Sequence, residues 1–242
     1  MTGDIIHFAD SEVYPIAEKR FIETCGFDLS TRKHQRMMAM GAKVREDGIE
    51  GLRPSAICRF LGPEHFHDGV LSVDQEEITC NYFTQIPEEK VKGIYIYMVT
   101  AGECYFSSEE NIMDFLYADI WGTNYVDAVT DLLSARLQKD IRERFGSDSG
   151  YWLTPEFGPG YFGMSVRMTH RFYNILDGSK LGIRVKESGL MIPQKSVAGL
   201  FFVLEGDNLI VEPECLRCDG NKKGCNFCVV RSRQLAKKAE NV

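Results

Sequence analysis

Four cysteines near the C-terminal end carry the clearest chemical signal in the sequence. They form two Cys-x-x-Cys pairs, Cys215 with Cys218 and Cys225 with Cys228. One such turn brings two thiolates to the same side of a tight loop, and a second pair completes a tetrahedral ligand set. The link at 219–224 contains two glycines and no apolar residue, so it can fold back without a core. The spacing therefore predicts a four-thiolate site for a metal ion or an iron–sulfur cluster.

The spacing alone does not choose between zinc and an iron–sulfur cluster. Four cysteines bind Zn²⁺ in structural sites, and the same ligand set binds clusters that transfer electrons. The link is short for a zinc ribbon, and it matches neither standard ferredoxin spacing. A redox-active disulfide pair and four unrelated surface thiols are the alternatives to a metal site.

Composition and charge indicate an ordinary globular protein. The 242 residues are 44% hydrophobic and 26% charged, and the net charge of −7 argues against general nucleic-acid binding. No apolar run approaches the length of a membrane span, and the first residues do not resemble a signal peptide. We therefore expect no membrane segment and a cytoplasmic location, where thiols stay reduced. Four more cysteines are expected to be buried and unreactive: Cys25, Cys58, Cys80 and Cys104.

Hydrophobic periodicity predicts both helices and strands. A buried methionine stripe is expected at 37–40 in the second helix. The predicted helices cover 12–26, 32–46, a segment through 113–116 that opens at 107–110, 124–145 and 166–176. The predicted strands cover 56–61, 91–100, 188–192 and 197–204.

The order of these elements predicts an α+β fold. We expect a single mixed domain over residues 1–210, with a twisted, largely antiparallel sheet flanked by helices. A small four-cysteine metal knuckle is expected to follow over residues 211–242.

No familiar catalytic constellation occurs in the sequence. It lacks a P-loop, a G-x-S-x-G elbow and a His-x-x-x-His pair, so no catalytic residue is predicted. His65 and His67 share one face of an extended segment, a geometry that can hold a metal ion. The neighbouring Gly62-Pro63 and Asp68-Gly69 pairs favour a surface loop instead.

Two later segments carry a resemblance to a known family. The first reads Glu156-Phe-Gly-Pro-Gly-Tyr161, and the second begins at Leu190 and reads Leu-Met-Ile-Pro-Gln-Lys-Ser-Val-Ala-Gly. With the helix around Tyr125-Val-Asp127, they resemble the activation domain of vitamin B12-dependent methionine synthase. That family has an R-x-x-P-G-Y turn, followed by a strand similar to M-x-P-x-x-S-V-S-G. The resemblance covers about residues 114–202.

The resemblance implies a domain that binds S-adenosylmethionine and docks over a cobalamin held by another domain or chain. It also implies one-electron reduction of inactive Co(II), which methyl transfer to the cobalt makes irreversible. By resemblance, the Pro-Gly-Tyr turn wraps the nucleoside, since proline fixes the loop, glycine admits the ligand and tyrosine offers a flat face. The candidate cofactor-binding residues are Asp127, Glu156, Pro159, Gly160 and Tyr161.

Two positions depart from the family pattern. Glu156 stands where the family has an arginine that pairs with the ligand's carboxylate, so the sign of the contact is reversed. A family tyrosine beyond the second motif falls near Leu209. Arg167 or Arg171 could substitute for the arginine if the loop is rebuilt. Ser196 is expected to hold its strand through a hydroxyl–backbone hydrogen bond.

The preferred hypothesis is an accessory protein in reductive activation of a cobalamin-dependent methionine synthase or another corrinoid methyltransferase. Its cobalamin would arrive on a corrinoid protein, its electron from a low-potential donor, and the cysteines would hold a [4Fe–4S] cluster, since zinc cannot relay electrons. One alternative is a non-catalytic module with structural zinc that docks on a corrinoid protein. A zinc-knuckle interaction protein is another. The sequence leaves open whether the chain is itself an enzyme.

We expect protein purified without oxygen to contain about four irons with acid-labile sulfide and to absorb broadly in the visible range. Replacing Cys225 and Cys228 by serine should remove the iron and the absorption, whereas Cys25→Ser should keep both. Metal analysis and a visible spectrum check this. One zinc without visible absorption would exclude the electron relay.

Overall fold

The computed structural model describes residues 2–103 and 111–206, and the first structural unit ends at Gly206. The four-cysteine motif, the boundary predicted at residue 210, Leu209 and Cys104 lie outside the described residues. The helices are α1 Asp10–Cys25, α2 Arg32–Gly48, α3 Ile112–Phe145 and α4 Thr169–Leu176. The strands are β1 Thr2–His7, β2 Leu52–Leu61, β3 Phe66–His67, β4 Val70–Val73, β5 Glu76–Thr79, β6 Val91–Gly102, β7 Tyr151–Leu153, β8 Arg184–Val185, β9 Met191–Ile192 and β10 Ser196–Glu205.

A five-stranded antiparallel sheet is the centre of the described part of the chain. Its strand order is β1-β2-β6-β10-β7, and every neighbouring pair is antiparallel. Two smaller sheets, β3-β4-β5 and β8-β9, are antiparallel as well. The predicted α+β fold, with an antiparallel sheet and flanking helices, is confirmed.

Strand β6 is buried on both of its faces. Alternate side chains, including Tyr95, Tyr97 and Val99, enter the core that α1, α2 and α3 form on one face of the sheet. The intervening Ile94 and Ile96 are equally buried on the opposite face, where α4 contacts the strand. Burial on both faces explains the nearly continuous apolar sequence of this strand.

Aromatic packing joins the three helices on the first face. The ring of Phe21 stacks on Trp121, with ring centroids 4.1 Å apart. The indole nitrogen of Trp121 donates a 2.8 Å hydrogen bond to the carbonyl oxygen of Gly41 in α2. A Cβ atom at Gly41 would lie 2.7 Å from the Phe21 ring, so the close approach of α2 requires glycine.

The methionine stripe predicted in α2 is only partly correct, because Met38 packs against the core but is not fully buried. The buried residues of this helix are Gly41 and Val44, and Met40 is 49% exposed. The helix approaches α3 through Gly41, and this rotates Met40 toward solvent. The helix end predicted at Gly26 is correct, since Gly26 adopts the left-handed conformation as the C-cap of α1.

The two helices predicted around 113–116 and 124–145 form one 34-residue helix, α3. The side chain of Asn111 caps it by accepting from the backbone amides of Met113 and Asp114. The start predicted at 107–110 lies outside the described residues. Gly122 does not interrupt the helix, because the aliphatic part of Lys195 packs where a side chain would be.

The strand predicted at 188–192 is shorter than expected, since β9 contains two residues and follows a turn in which Gly189 has a φ of +90°. The helix predicted at 166–176 begins as a 3-10 turn and continues as α4. The other predicted strands lie within β2, β6 and β10. The sequence did not predict β1, β3, β4, β5, β7 and β8.

None of the helices in the described ranges combines the length and the apolar composition that crossing a bilayer requires.

Phe21→Ala should lower the free energy of unfolding by about 3–5 kcal/mol, because it leaves a cavity against Trp121 in a fully buried site. Phe115→Ala is the matched control: Phe115 is 41% exposed, so its loss should cost less than about 1 kcal/mol. Urea denaturation measures both values. Equal losses would contradict the assigned role of Phe21.

Candidate functional site

The Pro-Gly-Tyr segment forms a tight turn. The amide of Tyr161 donates a 3.0 Å hydrogen bond to the carbonyl oxygen of Gly158, with Pro159 and Gly160 between them. Gly160 has a φ of +92°, and proline followed by glycine at the two central positions is the signature of a type II turn. The turn holds the Tyr161 side chain at the surface, where it is 61% exposed.

Backbone pairing with β10 anchors the start of this turn. Phe157 and Leu200 exchange two hydrogen bonds of 2.9 and 2.8 Å. The Phe157 ring is fully buried against Phe83 and Phe202, on the face of the sheet that carries α4. Side chains alternate along an extended chain, so Glu156 points to the opposite face.

The chain reaches this register through one extra residue. Leu153 pairs with Val203 and Phe157 pairs with Leu200, so four steps on one strand match three steps on the other. Such an insertion behaves as a bulge, which changes the direction of the side chains that follow it. Here the change brings Phe157 to the α4 face and Glu156 to the helix α1–α3 face.

A buried tyrosine fixes the carboxylate of Glu156. The hydroxyl group of Tyr97 in β6 donates a 2.7 Å hydrogen bond to Oε2 of Glu156. Burial, followed by the negative charge of Glu156, raises the pKa of Tyr97 well above its ordinary value, so the hydroxyl remains a donor. A Cβ atom at Gly199 would lie 2.8 Å from this hydroxyl oxygen. Glycine at that position therefore keeps the space around the pair open.

Two cavities adjoin the Glu156–Tyr97 pair. The first, here called the turn cavity, has a volume of about 270 Å³ and lies between the turn, the loop around Gly189 and the start of β10. The second, here called the acidic cavity, has a volume of about 380 Å³ and lies against α1 and α3. Glu156, Tyr161 and Val197 belong to the walls of both cavities. The two cavities therefore meet at these three residues.

The acidic cavity takes its charges from two helices and the turn. Arg20 of α1 lies 2.5 Å from Asp131 and 3.6 Å from Asp127, both on α3. Partial burial raises the pKa of Asp127; Arg20 opposes the shift, whereas the nearby charge of Glu156 adds to it. The cavity is therefore rich in negative charge.

The structure brings together four of the five predicted cofactor residues. Glu156, Pro159 and Tyr161 line the turn cavity, and Asp127 lines the acidic cavity. Gly160 sits at the centre of the turn without lining either cavity. Their roles in ligand binding remain predictions.

The proposed substitutes for the missing arginine do not reach the site. Arg171 pairs with Glu76 of β5, which also accepts a 2.6 Å hydrogen bond from Asn174. Arg167 is exposed on the 3-10 turn, and neither arginine lines the two cavities. Arg20 is the arginine in the cavity walls. Sequence reasoning missed it because no local signal indicates that α1 packs beside α3 at this point.

Ser196 holds its strand, but through a different partner from the one predicted. Its hydroxyl group bonds to the hydroxyl oxygen of Thr100 at 2.9 Å, and both residues are buried. The partner is therefore a side chain on β6 and not the backbone.

Nothing in the described ranges groups three or more His, Cys, Asp or Glu side chains in a way that could hold a metal ion. His65 ends a 3-10 turn and contacts the carbonyl oxygen of Ser72, and the exposed His67 lies 3.7 Å from Glu88. The loop predicted here is therefore a 3-10 turn followed by the short strand β3. Burial raises the pKa of Cys25 and of Cys58 to about 11, so both thiols are unreactive at neutral pH.

Comparison with known proteins supports the fold. No family model matches the chain, and no curated protein matches it. The crystal structure of the MetH reactivation domain bound to AdoHcy is similar, with a TM-score of 0.58 and 13% sequence identity. The match covers 85% of this chain and 79% of that chain. At this identity, the similarity shows a shared fold.

Asp127→Asn should stabilise the protein increasingly as the pH rises from about 4 to 7. The pKa of Asp127 is raised in the folded state, so its contribution to stability is full at low pH and is lost as the pH rises through that folded value. Asparagine removes this loss. Urea denaturation of the variant and the wild type across this pH range measures the difference, with the exposed Asp148→Asn as control. Parallel curves for the variant and the wild type would contradict the prediction.

Proposed function

We propose that this chain binds S-adenosylmethionine in the two connected cavities and assists reductive activation of a cobalamin-dependent methionine synthase or another corrinoid methyltransferase. One observation carries the proposal. The Glu156–Tyr161 segment, which resembles the ligand-binding turn of that family, borders both cavities in a chain whose fold is similar to a reactivation domain bound to AdoHcy.

The turn cavity suits the adenosyl end of the ligand. Val166, Leu190 and Met191 supply apolar walls, and the turn adds backbone groups that can bond to a base or a ribose. The exposed ring of Tyr161 offers a face for stacking. A flat, heteroaromatic group with polar edges matches these walls.

The acidic cavity suits the charged end of the same ligand. Asp127 and Asp131 offer carboxylate oxygens to an ammonium group. Arg20 supplies a guanidinium in the same cavity, although it is paired with both aspartates. A ligand that reaches from one cavity into the other passes Glu156 and Tyr161.

In the proposed reaction, one electron reduces Co(II) of the partner's cobalamin to Co(I), and methyl transfer from S-adenosylmethionine to that cobalt leaves S-adenosylhomocysteine and makes the reduction irreversible. The described residues would bind the methyl donor and orient its methyl group toward the partner. The partner is a corrinoid protein or the methyltransferase itself, and a low-potential donor supplies the electron.

The four cysteines complete the proposal. Cys215, Cys218, Cys225 and Cys228 would bind a [4Fe–4S] cluster in a separate segment, 211–242, and the cluster would carry electrons. Zn²⁺ is the alternative occupant, and it would leave a docking module that depends on another protein for electrons.

Isothermal titration calorimetry should detect S-adenosylmethionine binding to the full chain. Tyr161→Ala should weaken this binding about fivefold or more, because a ring that stacks on a base contributes about 1–3 kcal/mol. Tyr161→Phe keeps the ring and should bind within about threefold of the wild type. Absence of binding by the wild-type chain would refute the methyl-donor role.

Activation is tested by adding the chain to a corrinoid protein that carries cob(II)alamin, with a low-potential reductant. S-adenosylmethionine-dependent loss of the Co(II) signal and formation of methylated cobalamin would support the proposal. Binding to the corrinoid protein without any change at the cobalt would favour the docking module.

A further inference from the structure

Glu156 adds a negative charge to the walls of the acidic cavity, which already carry more negative than positive groups. The walls of the acidic cavity contain three carboxylates, Asp127, Asp131 and Glu156, and one guanidinium, Arg20. Three negative charges and one positive charge give a formal total of −2. A cavity with this excess favours a cationic group over a neutral or an anionic one.

The guanidinium of Arg20 is paired with two aspartates of α3. Its two terminal nitrogens lie 2.5 Å from Asp131 and 3.6 Å from Asp127. Glu156 forms no ion pair with any of the described residues, and its hydrogen bond comes from the neutral hydroxyl of Tyr97. Of the three carboxylates in the cavity walls, Glu156 is therefore the one that forms no ion pair with a described cation.

Glu156 is held where the two cavities meet. Tyr97 is fully buried, so its hydroxyl group has a fixed position, and the hydrogen bond to it restrains the carboxylate. Phe157 anchors the adjacent backbone to β10 through two hydrogen bonds. The charge is therefore preorganised beside the point where a ligand passes from the turn cavity to the acidic cavity.

In the binding mode proposed above, with the nucleoside in the turn cavity and the charged end in the acidic cavity, the sulfur atom of an S-adenosyl ligand lies at that point of passage. It joins the 5′ carbon of the ribose to the amino-acid chain, so the nucleoside lies on one side of it and the charged end on the other. The methyl donor carries a positive sulfonium there. The product of methyl transfer carries a neutral thioether.

We propose that Glu156 makes this site recognise the sulfonium charge, so that it binds the methyl donor more tightly than the demethylated product. This inference rests on the proposed function and adds that the site selects its ligand by the positive charge on sulfur. The carboxylate stabilises the charged sulfur, and loss of the charge on methyl transfer removes this contact. Release of the product is thereby favoured once the methyl group has left.

Two ligand pairs isolate the sulfonium charge. S-adenosylmethionine and S-adenosylhomocysteine differ by one methyl group and this charge. The 5′-dimethylsulfonio and 5′-methylthio derivatives of 5′-deoxyadenosine differ in the same way, and both lack the amino acid. In calorimetry with the full chain, the sulfonium member of each pair should bind about tenfold tighter than the thioether. The ratio should fall as the salt concentration rises.

Glu156→Gln removes the charge and keeps an oxygen that can accept from Tyr97. This variant should bring both affinity ratios to about one, whereas Asp148→Asn should leave them at the wild-type value. Glu156→Arg should reverse the preference. Thermal unfolding of each variant verifies that it is folded.

A wild-type ratio near one, or a ratio that Glu156→Gln does not change, would overturn the inference while leaving ligand binding intact. If none of the four ligands binds to the wild-type chain, the proposed function fails and this inference fails with it. The two failures are therefore distinguishable.

Discussion

Burial of β6 on both faces is the constraint on which the described architecture depends. A strand with two buried faces needs a cover on each, and this chain uses α1, α2 and α3 on one face and α4 on the other. The helices are fixed in turn by the Phe21–Trp121 stack and by the bond from Trp121 to Gly41. Arg20 follows from the same packing, because it is next to Phe21 in α1.

The candidate site lies beside a polar group of the buried strand β6, the hydroxyl of Tyr97. Tyr97 faces the helices with its ring enclosed, and its hydroxyl group reaches the carboxylate of Glu156 at the edge of β10. The core thus determines the position of a charge at the surface. The cavities on either side of this pair are bordered by residues of the central sheet and by the tight turn at 158–161. Such fixed walls are expected where a ligand must be held in one orientation.

Local sequence signals predicted much of this fold. The apolar, β-branched segments gave β2, β6 and β10, and Gly26 ended α1 as its conformation requires. Gly158, Pro159 and Gly160 indicated a turn because of the backbone freedom of glycine and the fixed φ of proline. The four-cysteine motif is the strongest chemical signal in the sequence, and it lies outside the described residues.

Other features depend on contacts between distant segments, and no local pattern contains them. Arg20 resembles any exposed residue of α1 until that helix is placed against α3. The methionine stripe was only partly correct: Met38 packs against the core, but Met40 is exposed, because Gly41, which has no apolar side chain, marks the contact face of α2. The helices predicted around 113–116 and 124–145 are one helix, and the side chain of Lys195, more than 70 residues from Gly122 along the chain, covers that glycine.

The extra residue between Leu153 and Phe157 has a consequence for the fidelity of folding. In an uninterrupted ladder, Glu156 would oppose Leu200, and its carboxylate would enter the cluster of Phe83 and Phe202. An unpaired charge among aromatic rings is strongly disfavoured. Glu156 thus destabilises the alternative register, in which the segment 153–157 pairs with β10 without the extra residue. The same carboxylate that faces the cavity therefore helps to select the native strand register.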